Sequence, residues 1–350
     1  MESSSPLTSR QSDALRIATF LATAMVVLRH SFNLHRYYPG GNPWMPVTDY
    51  NIATQRFFTE FTNVAIPAFF FMSGFLFFRD LGAWRECLPK WRKRLKTLLL
   101  PYILWNLILL CLISGAYAIS SLRPQLLETY NVKLSFGWFL DRMTLHPIMG
   151  HFWYIRTLMI FLIFAPIMYL FLRNNALSFV LLFILARSWK PIDTGILSTE
   201  GALYFYCGCW MATHGGLPQA MPVWQWLWIV PILAYNHFMP FFRPCCMTVP
   251  GNIAMTLFVG WQICLLLADS MRIRQWLLGL NQHSFFLYAL HAILVSGMTL
   301  MMSRFLAHTP RSSFLVYWLC FAIVLLTCLA ISYLVKRIAP RWHSILTGGR

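Results

Sequence analysis

A series of apolar runs, each close to the length of a bilayer crossing, extends from Ala14 to about residue 335 and constrains this chain more than any other feature. A bilayer core is spanned by about 20 apolar residues in a helix, and backbone polar groups inside it must be satisfied within helices or a closed barrel. Ten runs are read near 14–34, 57–78, 97–119, 151–172, 176–190, 200–213, 222–238, 250–269, 283–303 and 313–335. The expectation is an all-α polytopic membrane protein of about ten transmembrane helices, with eight and eleven as the alternatives. Composition agrees: 11% of the residues are charged, against about 25% in an average soluble domain. The 15 tryptophans suit membrane interfaces, where an amphipathic ring has an apolar body and a polar tip.

The formal charge of +17 would point to nucleic acid in a soluble protein. In a membrane chain it points to basic loops on the cytoplasmic side, so the expected partner is the lipid bilayer and not nucleic acid. With ten spans and the N-terminus inside, Arg10, Arg16, the run from Arg79 to Lys96, Arg173, Arg272, Arg274, Lys336, Arg337, Arg341 and Arg350 all fall inside. Both termini are then cytoplasmic. Residues 1–350 read as a single membrane domain, with a cytoplasmic tail over 1–13 and another over 336–350. The polar stretch from Met1 to Asp13 and the long apolar run after it predict a retained first span and not a cleaved signal peptide. The longest polar connections, 35–56 and 120–150, fall outside and either cover a pocket mouth or are ordinary solvated loops. Most of the nine cysteines lie within apolar runs, and Cys207-Gly208-Cys209 lacks zinc-ligand spacing. Neither a metal nor a disulfide framework is expected.

Ionisable side chains within a bilayer are costly and mark partners, cavities or function. Arg16 and His30 both lie on the first apolar run. Fourteen residue steps put them about 21 Å apart along a helix and about 40° apart around it. They therefore share a face without touching and, if they cooperate, do so at two depths of one cavity. Histidine is the side chain whose ordinary pKa lies closest to neutrality, which suits proton transfer.

Five motifs in order carry a resemblance. They are Asp13-Ala14-Leu15-Arg16 leading to His30-Ser31; Ile66-Pro67 leading to Ser73-Gly74-Phe75; Lys93-Arg94-Leu95-Lys96 running into Pro101-Tyr102; His151-Phe152-Trp153-Tyr154-Ile155-Arg156; and Ser284-Phe285-Phe286-Leu287-Tyr288 followed by His291. Together they resemble the acyltransferase-3 family of integral membrane O-acyltransferases that modify glycans. The family's first-helix Arg and His stand closer together than the thirteen residues that separate Arg16 from His30. Either the pair acts at two depths here, or Arg29 takes part of the arginine's role.

The resemblance implies transfer of an acyl group, normally acetyl, from acyl-CoA to a hydroxyl of a cell-surface polysaccharide or its lipid-linked precursor. It also implies a multi-pass protein of the bacterial inner membrane and no tightly bound cofactor, with acetyl-CoA or another acyl-CoA as co-substrate. A hydroxyl is a poor nucleophile without a base, and His30 is the candidate catalytic base. Arg156 is the candidate to bind the acyl oxyanion or to orient His30. Arg16, Lys93, Arg94 and Lys96 are candidates for the CoA phosphates, although the run from Lys90 to Lys96 reads first as a positive-inside anchor. Trp153 is a candidate to stack on a sugar, and Ser73 to line a narrow acyl channel. Glu60 either orients His30 or sits in interfacial water. His151 lines the outer pocket or caps its helix, and His291 is catalytic or a buried structural hydrogen-bonder. A transporter or glycan-lipid flippase is the alternative, because intramembrane Arg and His suit transport paths as well.

Overall fold

The computed structural model describes residues 6–32, 54–55, 57–59, 61–117, 119, 135–190, 196–238, 248–306 and 309–349. All regular structure among them is helical. In chain order the helices are α1 (Ser9–His30), α2 (Ala65–Phe78), α3 (Cys87–Arg94), α4 (Leu100–Tyr117), α5 (Phe136–Met143), α6 (Trp153–Ile163), α7 (Ala165–Leu172), α8 (Asn175–Arg187), α9 (Thr199–Thr213), α10 (Val223–Trp226), α11 (Ile229–Phe238), α12 (Thr248–Asp269), α13 (Met271–Asn281), α14 (Ser284–Leu306), α15 (Pro310–Ile338) and α16 (Pro340–Thr347). Residues 9–13, placed in a tail by the sequence, already belong to α1. Thr8 and Gln11 exchange side-chain and backbone hydrogen bonds there and close a capping box.

The chain is a multi-pass membrane protein, but the expected ten spans are not found. Among the described residues, five helices are long and apolar enough to cross: Ser9–His30, Phe57–Phe78, Trp84–Tyr117, Pro250–Asp269 and Arg311–Ile338. A sixth exists if Gly150–Ile163 and Ala165–Leu172, bent by 58°, make one span. The other apolar runs break into shorter pieces. Run 176–190 yields the 13-residue α8, and run 222–238 is split between α10 and α11. Run 200–213 is the 15-residue α9, which carries a buried Glu200 in its first turn, and the apolar part of α14 covers only Ser284–Thr299. Helices this short fall below the ~20 residues of a straight crossing. The parity argument that put both termini on one side depended on ten spans and falls with them; residues 1–5 and 350 lie outside the described residues. The connection 35–56 falls almost wholly outside them, and so does much of 120–150.

Helix α1 is the hub. It packs against α2, α12, α13, α14 and α15, and Ala14, Ile17 and Val27 are fully buried in the contact. The most extensive helix pairing joins α2 to α9. A Cβ added to Gly74 would collide with the Phe205 carbonyl oxygen, and one added to Gly208 with the Phe71 carbonyl oxygen. Each glycine thus admits the other helix's backbone. Where lipid tails are as apolar as the side chains, close van der Waals packing at small residues is a main source of helix association.

Polar contacts gather at the end of the bundle where α1 begins, here called the basic end. Arg10 pairs with Asp269 at 2.5 Å, Arg274 with Asp13 at 3.8 Å, and Lys336 donates to Gln282 at 2.5 Å. The buried Ser332 hydroxyl lies 2.8 Å from His283 Nδ1 and 2.9 Å from His343 Nε2, and so ties α16 to the start of α14. The Trp105 indole donates to the Leu346 carbonyl at 3.0 Å and holds α16 against α4.

Two consequences are testable. A methyl group at the α2–α9 crossing must push two backbones apart, so Gly208→Ala is expected to destabilise the protein by about 1–3 kcal/mol, visible as a lowered melting temperature in detergent. Burial first, and then the Lys336 charge, hold the pKa values of His283 and His343 below the ordinary value. The unfolded chain binds these protons near pH 6.5, so stability is full above that pH and is lost as the pH falls below it. Melting scans from pH 8 to pH 5 (about three units) are expected to show this loss, and His343→Phe to reduce it.

Candidate active site

Three histidines from separate parts of the chain meet in the bundle. His30 ends α1, His291 lies about two turns into α14, and His151 sits in a single 3-10 turn, Gly150–Phe152, just ahead of α6. The His30 and His291 ring centroids are 5.0 Å apart and those of His291 and His151 4.9 Å apart, both pairs edge to face. His291 stands in the middle of the file and is fully buried. Its Nδ1 lies 2.7 Å from the Tyr288 carbonyl oxygen. A carbonyl only accepts, so Nδ1 carries the proton and Nε2 is left as the basic nitrogen.

The turn that presents His151 is pinned from both sides. The Tyr288 hydroxyl donates to the His151 carbonyl at 2.5 Å, and buried Asn106 accepts from the Met149 amide at 3.1 Å. The rings of Phe152 and Tyr288 stack at an interplanar angle of 3°, and Tyr102 stacks behind Phe152. Neither Asn106 nor the pinning role of Tyr288 was singled out by the sequence. An amide inside the apolar run 97–119 was the available signal, since a buried polar group in hydrocarbon needs a partner.

Tyr288 also borders a cavity of about 280 Å³. Its walls include Thr19 and Thr23 of α1, Met72 and Ser73 of α2, Arg94, Tyr154 and Leu158 of α6, and Ser284 and Phe285 of α14. Ser73 Oγ and Tyr154 Oη share a hydrogen bond of 3.2 Å at the wall. The histidines do not line it; Tyr288 is the shared element. The cavity therefore extends from Arg94, which ends α3 near the basic end, to the tyrosine that braces the histidine file.

The predicted cations separate sharply. A π-helical stretch, Leu95–Leu99, joins α3 to α4. Arg94, just ahead of it, reaches the cavity wall, whereas Lys93 and Lys96 are exposed. Extra backbone of this kind inside helices is frequent at functional sites. Arg16 is exposed too, while Thr19 and Thr23, at positions between it and His30, face the cavity. Arg156 is buried and donates from Nη1 to the Leu145 carbonyl in the turn ahead of its own helix. Trp153 is partly buried, its ring 6.3 Å from that of Phe70. Glu60 lies outside the described residues. The structure also brings forward Arg29, which donates to the Asn63 side chain, and Glu200, a carboxylate only 3% exposed.

Among the described residues, no group of three or more His, Cys, Asp or Glu is disposed to hold a metal ion. The described cysteines, Cys87, Cys111, Cys207, Cys209, Cys264, Cys320 and Cys328, are free thiols.

A bundle of membrane helices with a histidine file, a polar-walled cavity and an arginine between that cavity and the basic end defines a membrane protein with an intramembrane polar site. Residues 13–337 match the family model described as an acyltransferase domain, Acyl_transf_3. The chain belongs to this family of integral-membrane acyltransferases, and that membership supports acyltransferase activity in general terms. No curated protein and no solved structure gave a significant match.

The pinned turn gives a direct test. Tyr288→Phe removes the donor to the His151 carbonyl and leaves a buried acceptor unsatisfied, at a cost of about 1–3 kcal/mol. The expected outcome is a lowered melting temperature in detergent together with reduced acyl transfer. An unchanged melting temperature would show that the hydrogen bond does not brace the turn.

Proposed function

We propose that this protein moves an acyl group, acetyl in the first instance, from acyl-CoA to a hydroxyl of a cell-surface glycan or its lipid-linked precursor, in the inner membrane of a bacterium. One observation carries the reading: in a chain of the acyltransferase-3 family, a cavity reaching from Arg94 to Tyr288 ends at the tyrosine that braces a file of three histidines. The basic end, with Arg79, Arg85, Lys93 and Lys96, faces the cytoplasm in this reading, because Lys and Arg concentrate on that side. Acyl-CoA arrives there. Its phosphates meet the exposed cations, Arg94 stands at the mouth, and the narrow arm with its thioester enters the cavity.

His30 serves as the base. It takes the proton of the acceptor hydroxyl as the oxygen attacks the thioester carbonyl. The new O–acyl bond forms, the C–S bond breaks, and the departing CoA thiolate regains a proton to leave as the free thiol. His291 and His151 stand behind His30, ring edge to ring face, and hold its imidazole in place. Arg156, tied to the turn that carries Leu145, supports the wall beside His151 and positions it. No bound cofactor is required, and acyl-CoA is a co-substrate.

Purified protein in detergent with radiolabelled acetyl-CoA and surface glycan supplies the test. His30→Ala is expected to lower transfer by about 10²-fold or more while the melting temperature stays within a few degrees. Full transfer by a folded His30→Ala variant would remove His30 from the reaction.

A further inference from the structure

We infer that Glu200, Arg29 and Asn63, together with Trp153, form the subsite that binds the sugar unit of the acceptor; this rests on the proposed glycan acyltransferase activity. Glu200 stands out among the described acidic residues. It is nine-tenths buried or more, and its Oε2 has no hydrogen-bond partner among the described residues. An unsatisfied buried carboxylate oxygen is costly and is explained by a ligand that donates to it. The Arg29 guanidinium lies close enough for its charge to act on Glu200, and Arg29 itself donates to Asn63. Arg29 directly precedes His30, so this charged group adjoins the candidate base.

Contacts close a ring around the same end of the bundle. The Phe70 ring lies 2.7 Å from where a Cβ on Gly201, the neighbour of Glu200, would stand. It also lies 6.3 Å from the Trp153 ring. Trp153 follows His151 by two residues, and His151 leads through His291 back to His30. A carboxylate, a guanidinium and a carboxamide are planar groups that together both accept and donate, as a polyhydroxylated ring requires. A partly exposed indole offers the apolar surface that the C–H face of a sugar covers. The cavity lined by Thr19, Ser73 and Arg94 holds no carboxylate or carboxamide and offers no such set. The chemistry therefore assigns the sugar ring of the acceptor to the Glu200 group, with its reacting hydroxyl at His30, and the CoA arm of the donor to the cavity bordered by Tyr288.

The test compares Glu200→Gln and Trp153→Phe with the intact protein. Two quantities are measured: the acyl content of surface glycans, by mass spectrometry of cells that carry each form at equal membrane level, and acetyl-CoA affinity, by calorimetry on purified protein. The expected result is a loss of glycan acylation of about tenfold or more in Glu200→Gln, with the acetyl-CoA dissociation constant within about twofold. Trp153→Phe is expected to fall between it and the intact protein. Undiminished acylation in Glu200→Gln, or an equal loss of acetyl-CoA affinity, overturns the subsite while the activity itself stands. If the intact protein adds no acyl group to glycan, the functional reading fails and the subsite with it.

Discussion

Hydrocarbon offers no hydrogen bonds, and every polar group inside this bundle must therefore be answered by protein or by a cavity. The architecture follows from that constraint. Where helices break, the exposed backbone is walled in: the turn ahead of α6 is held by Tyr288 and Asn106, and the Tyr169 hydroxyl donates to the Gly82 carbonyl at 2.5 Å in the loop after α2. The same constraint makes the three histidines informative. Imidazoles that pack edge to face in a membrane interior need a reason to be there, and the adjoining cavity supplies one.

The long helices were legible because their apolar runs are unbroken: 57–78, 250–269 and 313–335 correspond to helices of crossing length. The count of ten was misleading because apolar content does not reveal where a helix stops. Pro166 sits in the first turn of α7 just after the bend at Phe164, so the single run 151–172 became two short helices, and the run after Asn174 yields only the short α8. Helices of this length persist beside neighbours that bury them, as α9 does against α2, and such cover is a tertiary fact. An apolar run that looks like a span can equally be a packed partner of one.

The site was legible residue by residue but not as an assembly. His30, His151 and His291 each stood out as an ionisable group among apolar residues, yet they are separated by more than a hundred positions, and only the fold joins them in a file. Periodicity could not separate Arg94 from Lys93 and Lys96, because the π-helical stretch at Leu95–Leu99 alters the helical phase just beyond Arg94. Glu200 was hidden for a different reason: an acidic residue at the edge of an apolar run reads as a span boundary. Its helix is packed against α2, far away in the chain.

Ser332 has one further consequence. A serine hydroxyl owns a single proton, and here it stands between two imidazoles that are neutral at ordinary pH. If it donates to His283, then His343 must donate to it; if it turns, both rings must exchange tautomers. The two rings are thus complementary, one always showing a bare nitrogen to the serine and the other an N–H. Their opposite nitrogens show the inverse pattern. A hydroxyl rotation at the foot of α15 is in this way equivalent to moving a hydrogen from one side of the α14–α16 junction to the other, with no change in net charge.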